Sequence, residues 1–279
     1  MVRLPAVAGT FYPDNSRELS RQVQRFVSAE TTVKKIPCRA CLVPHAGYMY
    51  SGHVAGAVYS RIVVPKRIIA LGVRHFPHGE EAAILAEGAW RTPLGDVPVD
   101  SALAATISRA CLLLREDSVA HEREHSLEVQ LPFLQVLNPG CTFVPIALGT
   151  IHFQELVSIG ESLGTILSAE PDVLLLTTSD FNHYEDDATT RKKDRLAIER
   201  ILQFEPRGLF EICHNEKISM CGLGPAVVML TALNRLGSNK AVLAKYATSA
   251  DVSGDPRAVV GYAGVLFPEE RGLSVTVAE

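Results

Sequence analysis

The sequence predicts an α/β sandwich over residues 1–279, a single domain with a mostly parallel mixed sheet between layers of helices. Three observations predict it. The apolar runs are short and continuous rather than alternating, as expected of strands covered on both faces. Stretches with helical periodicity lie between them. No Ser/Gly-rich linker, low-complexity tract or repeat divides the chain.

In chain order, a helix is expected over 16–29, followed by a strand at Ala40–Val43 and a helix over 53–62. Strands follow at Arg67–Gly72 and Ala82–Ala86, then helices over 101–114 and 124–137, the first capped by Asp100 or Ser101. Thr142–Leu148 reads as a strand. The helix over 152–168 shows its period directly, with Leu156, Ile159, Leu163 and Ile166 on one stripe. Val173–Thr178 is the next strand, and helices are expected over 187–203, 206–213 and 225–236. Strands Val242–Ala247 and Val259–Phe267 are close enough in sequence to pair antiparallel.

Composition narrows the function classes. A net charge of -4 argues against a nucleic-acid partner, which needs a basic face, and Arg191-Lys192-Lys193 reads as a solvated helix face. No apolar run approaches the roughly 18 residues of a membrane span. The segment Met1–Thr10 has one Arg and no long apolar region, so no secretory signal is expected and the cytoplasm is the expected compartment. Cys38, Cys41, Cys111, Cys141 and Cys213 read as free core or near-surface thiols. Cys38 and Cys41 resemble a metal pair, but three positions apart on a strand their sulfurs should diverge.

The reactive side chains follow strand ends or precede a helix, and ligands of open α/β sheets gather beyond the carboxyl ends of strands. His45 lies in Pro44-His45-Ala46-Gly47-Tyr48. His75 ends Leu71-Gly72-Val73-Arg74-His75, with His78 nearby. Asp180 and His183 share Ser179-Asp180-Phe181-Asn182-His183. That histidine is placed to be a ligand or a general base, with Asp180 orienting it or bracing the loop. Cys221, in Cys221-Gly222-Leu223-Gly224-Pro225, precedes a helix whose N-terminus should favour its thiolate. His125 and Glu128 are spaced to share one helix face, with Glu128 as a fourth ligand or a partner to one. Gly160-Glu161-Ser162-Leu163-Gly164 has the nucleophile-elbow pattern but falls inside a helix, and no Walker loop or dinucleotide fingerprint is present.

The chain resembles the Memo-like proteins, known in prokaryotes as AmmeMemoRadiSam system protein B. Ala8-Gly9-Thr10-Phe11-Tyr12-Pro13, Pro44-His45-Ala46-Gly47-Tyr48, Arg91-Thr92-Pro93-Leu94-Gly95, Glu124-His125-Ser126-Leu127-Glu128, Ser179-Asp180-Phe181 with His183, and Cys221-Gly222 carry the resemblance. It implies the fold of the class III extradiol dioxygenases, in which two histidines and a glutamate hold a ferrous ion. Carried over, the histidines are His45 and His75, Cys221 takes the carboxylate position, and His183 is the base. A sulfur ligand shifts preference toward copper or zinc while still admitting Fe(II). The resemblance thus implies an iron or copper oxidoreductase with a dioxygenase-like site. A second reading is a non-enzymatic metal- or ligand-binding component working beside AMMECR-type and radical-SAM proteins. A third is a thiol hydrolase built from Cys221, His183 and Asp180.

Overall fold

The computed structural model describes residues 1–29, 34–149 and 152–269; segments 30–33, 150–151 and 270–279 of the expected domain lie outside the described residues. β1 (Val2–Arg3) leads to α1 (Ser16–Ser28), started by Asn15, whose side chain accepts from the amides of Arg17 (3.0 Å) and Glu18 (3.1 Å). β2 (Cys38–Val43), α2 (Tyr48–Tyr59) and β3 (Arg67–Val73) form the first crossover unit. β4 (Ala82–Ile84) follows, then a hairpin of β5 (Ala89–Thr92) and β6 (Gly95–Pro98), and α3 (Ser101–Ala110) with Asp100 as its cap. Next come β7 (Arg115–Glu116), α4 (Val119–Glu122) and α5 (Leu131–Leu137). The remaining chain carries β8 (Thr142–Leu148), α6 (Phe153–Ala169), β9 (Val173–Thr178), β10 (His183–Glu185) and α7 (Asp187–Leu202). It ends with α8 (Pro206–Asn215), α9 (Leu223–Arg235), β11 (Val242–Thr248), α10 (Ala250–Ser253) and β12 (Val259–Pro268).

The main sheet runs β10-β12-β2-β9-β3-β8-β4-β7, with β11 also on β12. It is mixed rather than mostly parallel. β2, β9, β3 and β8 are mutually parallel, yet four of the eight pairings are antiparallel. The links Val73 to Ala82 and Thr248 to Val259 are shorter than the dozen or so residues a parallel crossover needs, so the flanking strands run back.

Alternate residues of the central strands feed two cores. Ala40, Leu42, Ile69 and Leu71 pack with α6 and α9 on one face, while Cys41, Val43, Ile68 and Ala70 pack with α1, α2 and α5 on the other. Cys38 also packs against this second core. A register irregularity at Phe267/Pro268 of the partner strand places it on the side of Cys41, not on the opposite face expected. All six thiols are free. Among the described residues no helix is long and apolar enough to cross a membrane.

Three expected helices differ, and the one expected over 101–114 stops at Ala110. The one expected over 53–62 begins at Tyr48, directly after the His45 turn. The one expected over 124–137 is a turn, then a 3-10 segment Glu128–Gln130, then a true helix only from Leu131, where Pro132 fits the first turn. The hairpin β5–β6 and the short strands β1, β7 and β10 carry too few apolar residues to announce themselves as runs.

Helices α1 and α2 meet at backbone distance, because a Cβ on Gly56 would stand 2.6 Å from the Phe26 carbonyl oxygen and 2.7 Å from its Cβ. Gly56→Ala is expected to destabilise the fold by about 1–3 kcal/mol in urea unfolding. Gly140→Ala, whose Cβ meets only Asn138 Oδ1 at 3.7 Å, should stay within about 0.5 kcal/mol of the parent.

Candidate metal centre

Three parallel strands end side by side, with Val43 of β2 in register with Thr178 of β9, and Leu71 of β3 with Thr177. The chain beyond β9 then crosses the end of β2. Ser179 N donates to Val43 O (3.0 Å), Phe181 N to Gly261 O (2.8 Å), and Gly261 N to Asn182 O (3.0 Å). Asp194 of α7 holds this segment from behind by accepting Asn182 N at 2.8 Å. The crossing sets Asp180 against the His45 turn, where its Oδ1 accepts the His45 amide at 2.8 Å.

The turn before α9 is pressed onto the same segment. Gly222 N donates to Ser179 Oγ (2.9 Å), and a Cβ at position 222 would lie 2.4 Å from both Thr178 O and Ser179 Cβ, so only glycine fits. Cys221 is thereby held with its Sγ 3.3 Å from the amide of Asp180 and 3.1 Å from His45 Nε2, although 176 residues separate the two side chains.

Each imidazole has one nitrogen committed. His45, 2% exposed, sets Nδ1 2.6 Å from Thr178 Oγ1. His75 sets Nδ1 2.9 Å from Glu124 Oε1. Glu124 is fully buried, and its oxygens also accept the amides of His75 (2.7 Å) and Ser126 (2.8 Å). The Nε2 atoms are left for a ligand. One ligand atom each from His45, His75 and Cys221 lie within 4.8 Å of one another. That spacing suits a single ion, whose bonds to nitrogen and sulfur run about 2.0–2.3 Å. His75, Glu124 and His125 form a second such group, but the oxygens of Glu124 are already taken, so it reads as the carboxylate that orients a ligand histidine.

His183 donates from Nδ1 to the carbonyl of Ser219 at 2.9 Å, and its amide donates to Ser219 Oγ at 2.8 Å. It lines a cleft of about 790 Å³ with His45, His75, His125, Asp180 and Cys221. Tyr184, 78% exposed and in the left-handed region at φ 63°, also lines it.

Burial dominates the titration of the site. It pulls His45 well below the ordinary imidazole value, assisted by the neighbouring His75 and His125, and it lowers His183. It pushes Asp180 up to about 7. It raises the Cys221 thiol, with the Asp180 carboxyl adding to the effect. The expectation of a thiolate stabilised by the helix N-terminus is therefore corrected for the metal-free protein. Cys221 precedes α9, which starts at Leu223, and desolvation outweighs what the dipole contributes. Burial also works to raise Glu124, but its hydrogen bonds from His75 outweigh it and bring the carboxyl down to about 2.

The structure gathers His45, His75, Cys221, His125, Asp180 and His183 around one cleft. The ring of His125 stacks on His75 at 4.7 Å and meets Phe11 at 4.8 Å. Of the two roles expected for Asp180, the structure shows loop bracing: it accepts the His45 amide, and the group that orients His183 is Ser219. Glu128 is not at the cleft, because the 3-10 turn swings it away from His125. Fully buried, it accepts from Arg3 Nη1, the amides of Ala6 (2.8 Å) and Val7 (3.0 Å), and Tyr12 Oη (2.6 Å). Glu124, Thr178 and Ser219 were not singled out from sequence. Glu124 stands immediately before His125 in its motif, which is the one signal that marks it.

A fold that joins imidazoles and a thiol beyond parallel strand ends gives an α/β protein with a candidate metal centre, and comparison with known proteins gives the family. The model for the Memo-like protein family matches residues 3–266, and the chain belongs to that family. Its relatives include the MEMO1 family protein MK0963 of Methanopyrus kandleri, 38% identical over 280 residues covering 96% of this chain and 99% of the relative. A MEMO1 family protein of Aquifex aeolicus is 38% identical over 267 residues, 95% of this chain and 99% of the relative. The crystal structure of the uncharacterized protein JW3007 from Escherichia coli K12 shares the fold at TM-score 0.52 and 11% identity, covering 81% of this chain and 99% of that one.

Glu124 titrates below its ordinary value when folded, so its stabilising contribution is complete above roughly pH 4.5 and is lost as pH falls toward about 2. Acid unfolding of wild type should steepen in that window, and Glu124→Gln should flatten the limb. Glu128→Ala strands Arg3 and two amides in the interior, and a loss of roughly 3–5 kcal/mol is expected in thermal or urea unfolding.

Proposed function

We propose that His45, His75 and Cys221 hold one transition-metal ion, Fe(II) first with copper or zinc as substitutes, and that the protein is a metal-dependent oxidoreductase with a dioxygenase-like cleft. The observation that carries this reading is the pairing of each imidazole Nδ1 with a buried polar partner, Thr178 or Glu124, while a nitrogen of each ring and the thiol lie within 4.8 Å of one another. Ligands oriented in this way need little rearrangement to bind. When bound, iron or copper supplies one-electron chemistry and open coordination positions.

The chain's own residues do the rest. Cys221 gives up its proton on binding, since sulfur ligates as thiolate. His183 carries its proton on Nδ1, held by the Ser219 carbonyl, so its Nε2 lone pair is available to take a proton in the cleft. Burial keeps that ring neutral near pH 7, the form a general base requires. Asp180 is a positioning residue for the His45 turn and, through its amide, for Cys221.

The thiol hydrolase receives no support from this arrangement. The imidazole against Cys221 is His45, whose other nitrogen meets a threonine rather than a carboxylate. The same reading treats residues 1–279 as one domain of class III extradiol dioxygenase-like type, acting in the cytoplasm beside AMMECR-type and radical-SAM proteins.

Metal content of protein purified without oxygen or chelator tests the proposal. Wild type should carry near-stoichiometric iron or copper, His45→Ala and Cys221→Ala should lose it, and His183→Ala should keep it. A wild type that is empty and cannot be reconstituted with iron, copper or zinc overturns the reading.

A further inference from the structure

A second cavity, of about 560 Å³, shares Ser219 and Cys221 as a common wall with the metal cleft. We propose that it is a binding site for an amphipathic organic anion, a molecule with an apolar body and one carboxylate, sulfonate or phosphate head. The volume lies in the range of small-molecule pockets, and Leu156, Phe210, Ile218 and Leu223 provide an apolar surface of the kind such pockets use.

The ionisable lining has one sign. Arg74 enters from the end of β3 and Lys217 from the turn after α8, while no described lining residue is a carboxylate. In a chain of net charge -4 that is the reverse of the average surface. Arg74 is anchored by neutral groups, donating from Nε to His78 O (3.2 Å) and from Nη2 to Gly79 O (2.9 Å). Among the described residues its Nη1 has no hydrogen-bond partner. Among the described residues neither Arg74 nor Lys217 has a carboxylate partner within ion-pair distance.

The end of α8 fixes where Lys217 stands. Lys217 sits at φ 52°, a left-handed conformation that suits glycine or asparagine better than a long side chain. That conformation ends α8, where Ile218 N donates to Cys213 O (2.8 Å) and Lys217 N to His214 O (3.3 Å), and the Lys217 carbonyl accepts from Lys193 Nζ at 3.2 Å. A cation at that position has a use if an anion enters the cavity beside it, away from competing water.

This inference stands on the cavity's own lining and holds whether or not the neighbouring centre takes a metal. Isothermal titration of the purified protein with octanoate, and with 1-octanol as its uncharged counterpart, tests it. Octanoate should saturate one site and bind at least about tenfold tighter than octanol, the scale of hydrogen bonds to a charged group. Lys217→Gln, an exposed change that leaves the fold intact, and Arg74→Gln should each weaken octanoate roughly tenfold and leave octanol unchanged. Lys192→Gln, a cation on α7 outside the cavity, should bind octanoate as wild type does. The proposal falls if octanoate shows no saturable binding, if octanol matches it, or if the Lys217 variant retains wild-type affinity.

Discussion

The parallel register of β2, β9 and β3 is the constraint on which the centre depends. Because the three strands run the same way and stop together, the residues that follow them share one edge of the sheet. The run of chain past β9 then converts proximity into contact by bonding first to the end of β2 and next to β12, across the space where β2 has finished. Asp180 is fixed by that crossing, and through it so are the His45 turn and the Cys221 sulfur. A sheet with any of these strands reversed would put its donors at opposite edges.

Two buried glutamates within one short turn show how the sequence uses charge in the interior. Glu124 is buried behind the cleft and fixes His75, whereas Glu128 faces the N-terminal segment and ties Arg3, Ala6, Val7 and Tyr12 together. Neither oxygen pair is left without donors, which is the condition for carrying a carboxylate inside a protein. The two are linked by packing as well as in sequence. The segment that Glu128 anchors includes Phe11, which packs on His125, and His125 in turn stacks on the histidine that Glu124 orients.

Much of this was legible from residue order. Seven strands were readable as apolar runs, and the structure contains a strand at each of those places. His45 and His75 stand out because they follow strand ends, and Cys221 because glycines and a proline mark a turn before a helix. What stayed hidden depends on side-chain direction. Nothing in the spacing of Glu124, His125 and Glu128 distinguishes a helix from a turn followed by 3-10 geometry, and that difference decides which glutamate meets a histidine of the cleft. Thr178 and Ser219 act through single hydrogen bonds to imidazoles far away in the chain, a relation without a local pattern. The antiparallel flanks are set by link lengths, readable only once strand order is known.

The distance along the chain between His45 and Cys221 has a consequence in time. During synthesis the histidines emerge first, and 176 residues later the sulfur that meets them. A nascent chain therefore offers isolated imidazoles but no complete donor set, and closing so long a loop has to come from the packing of the sheet and its helices. Whatever the centre takes up is loaded into a finished fold, and its affinity then supports the entire chain rather than the segment that happens to touch it.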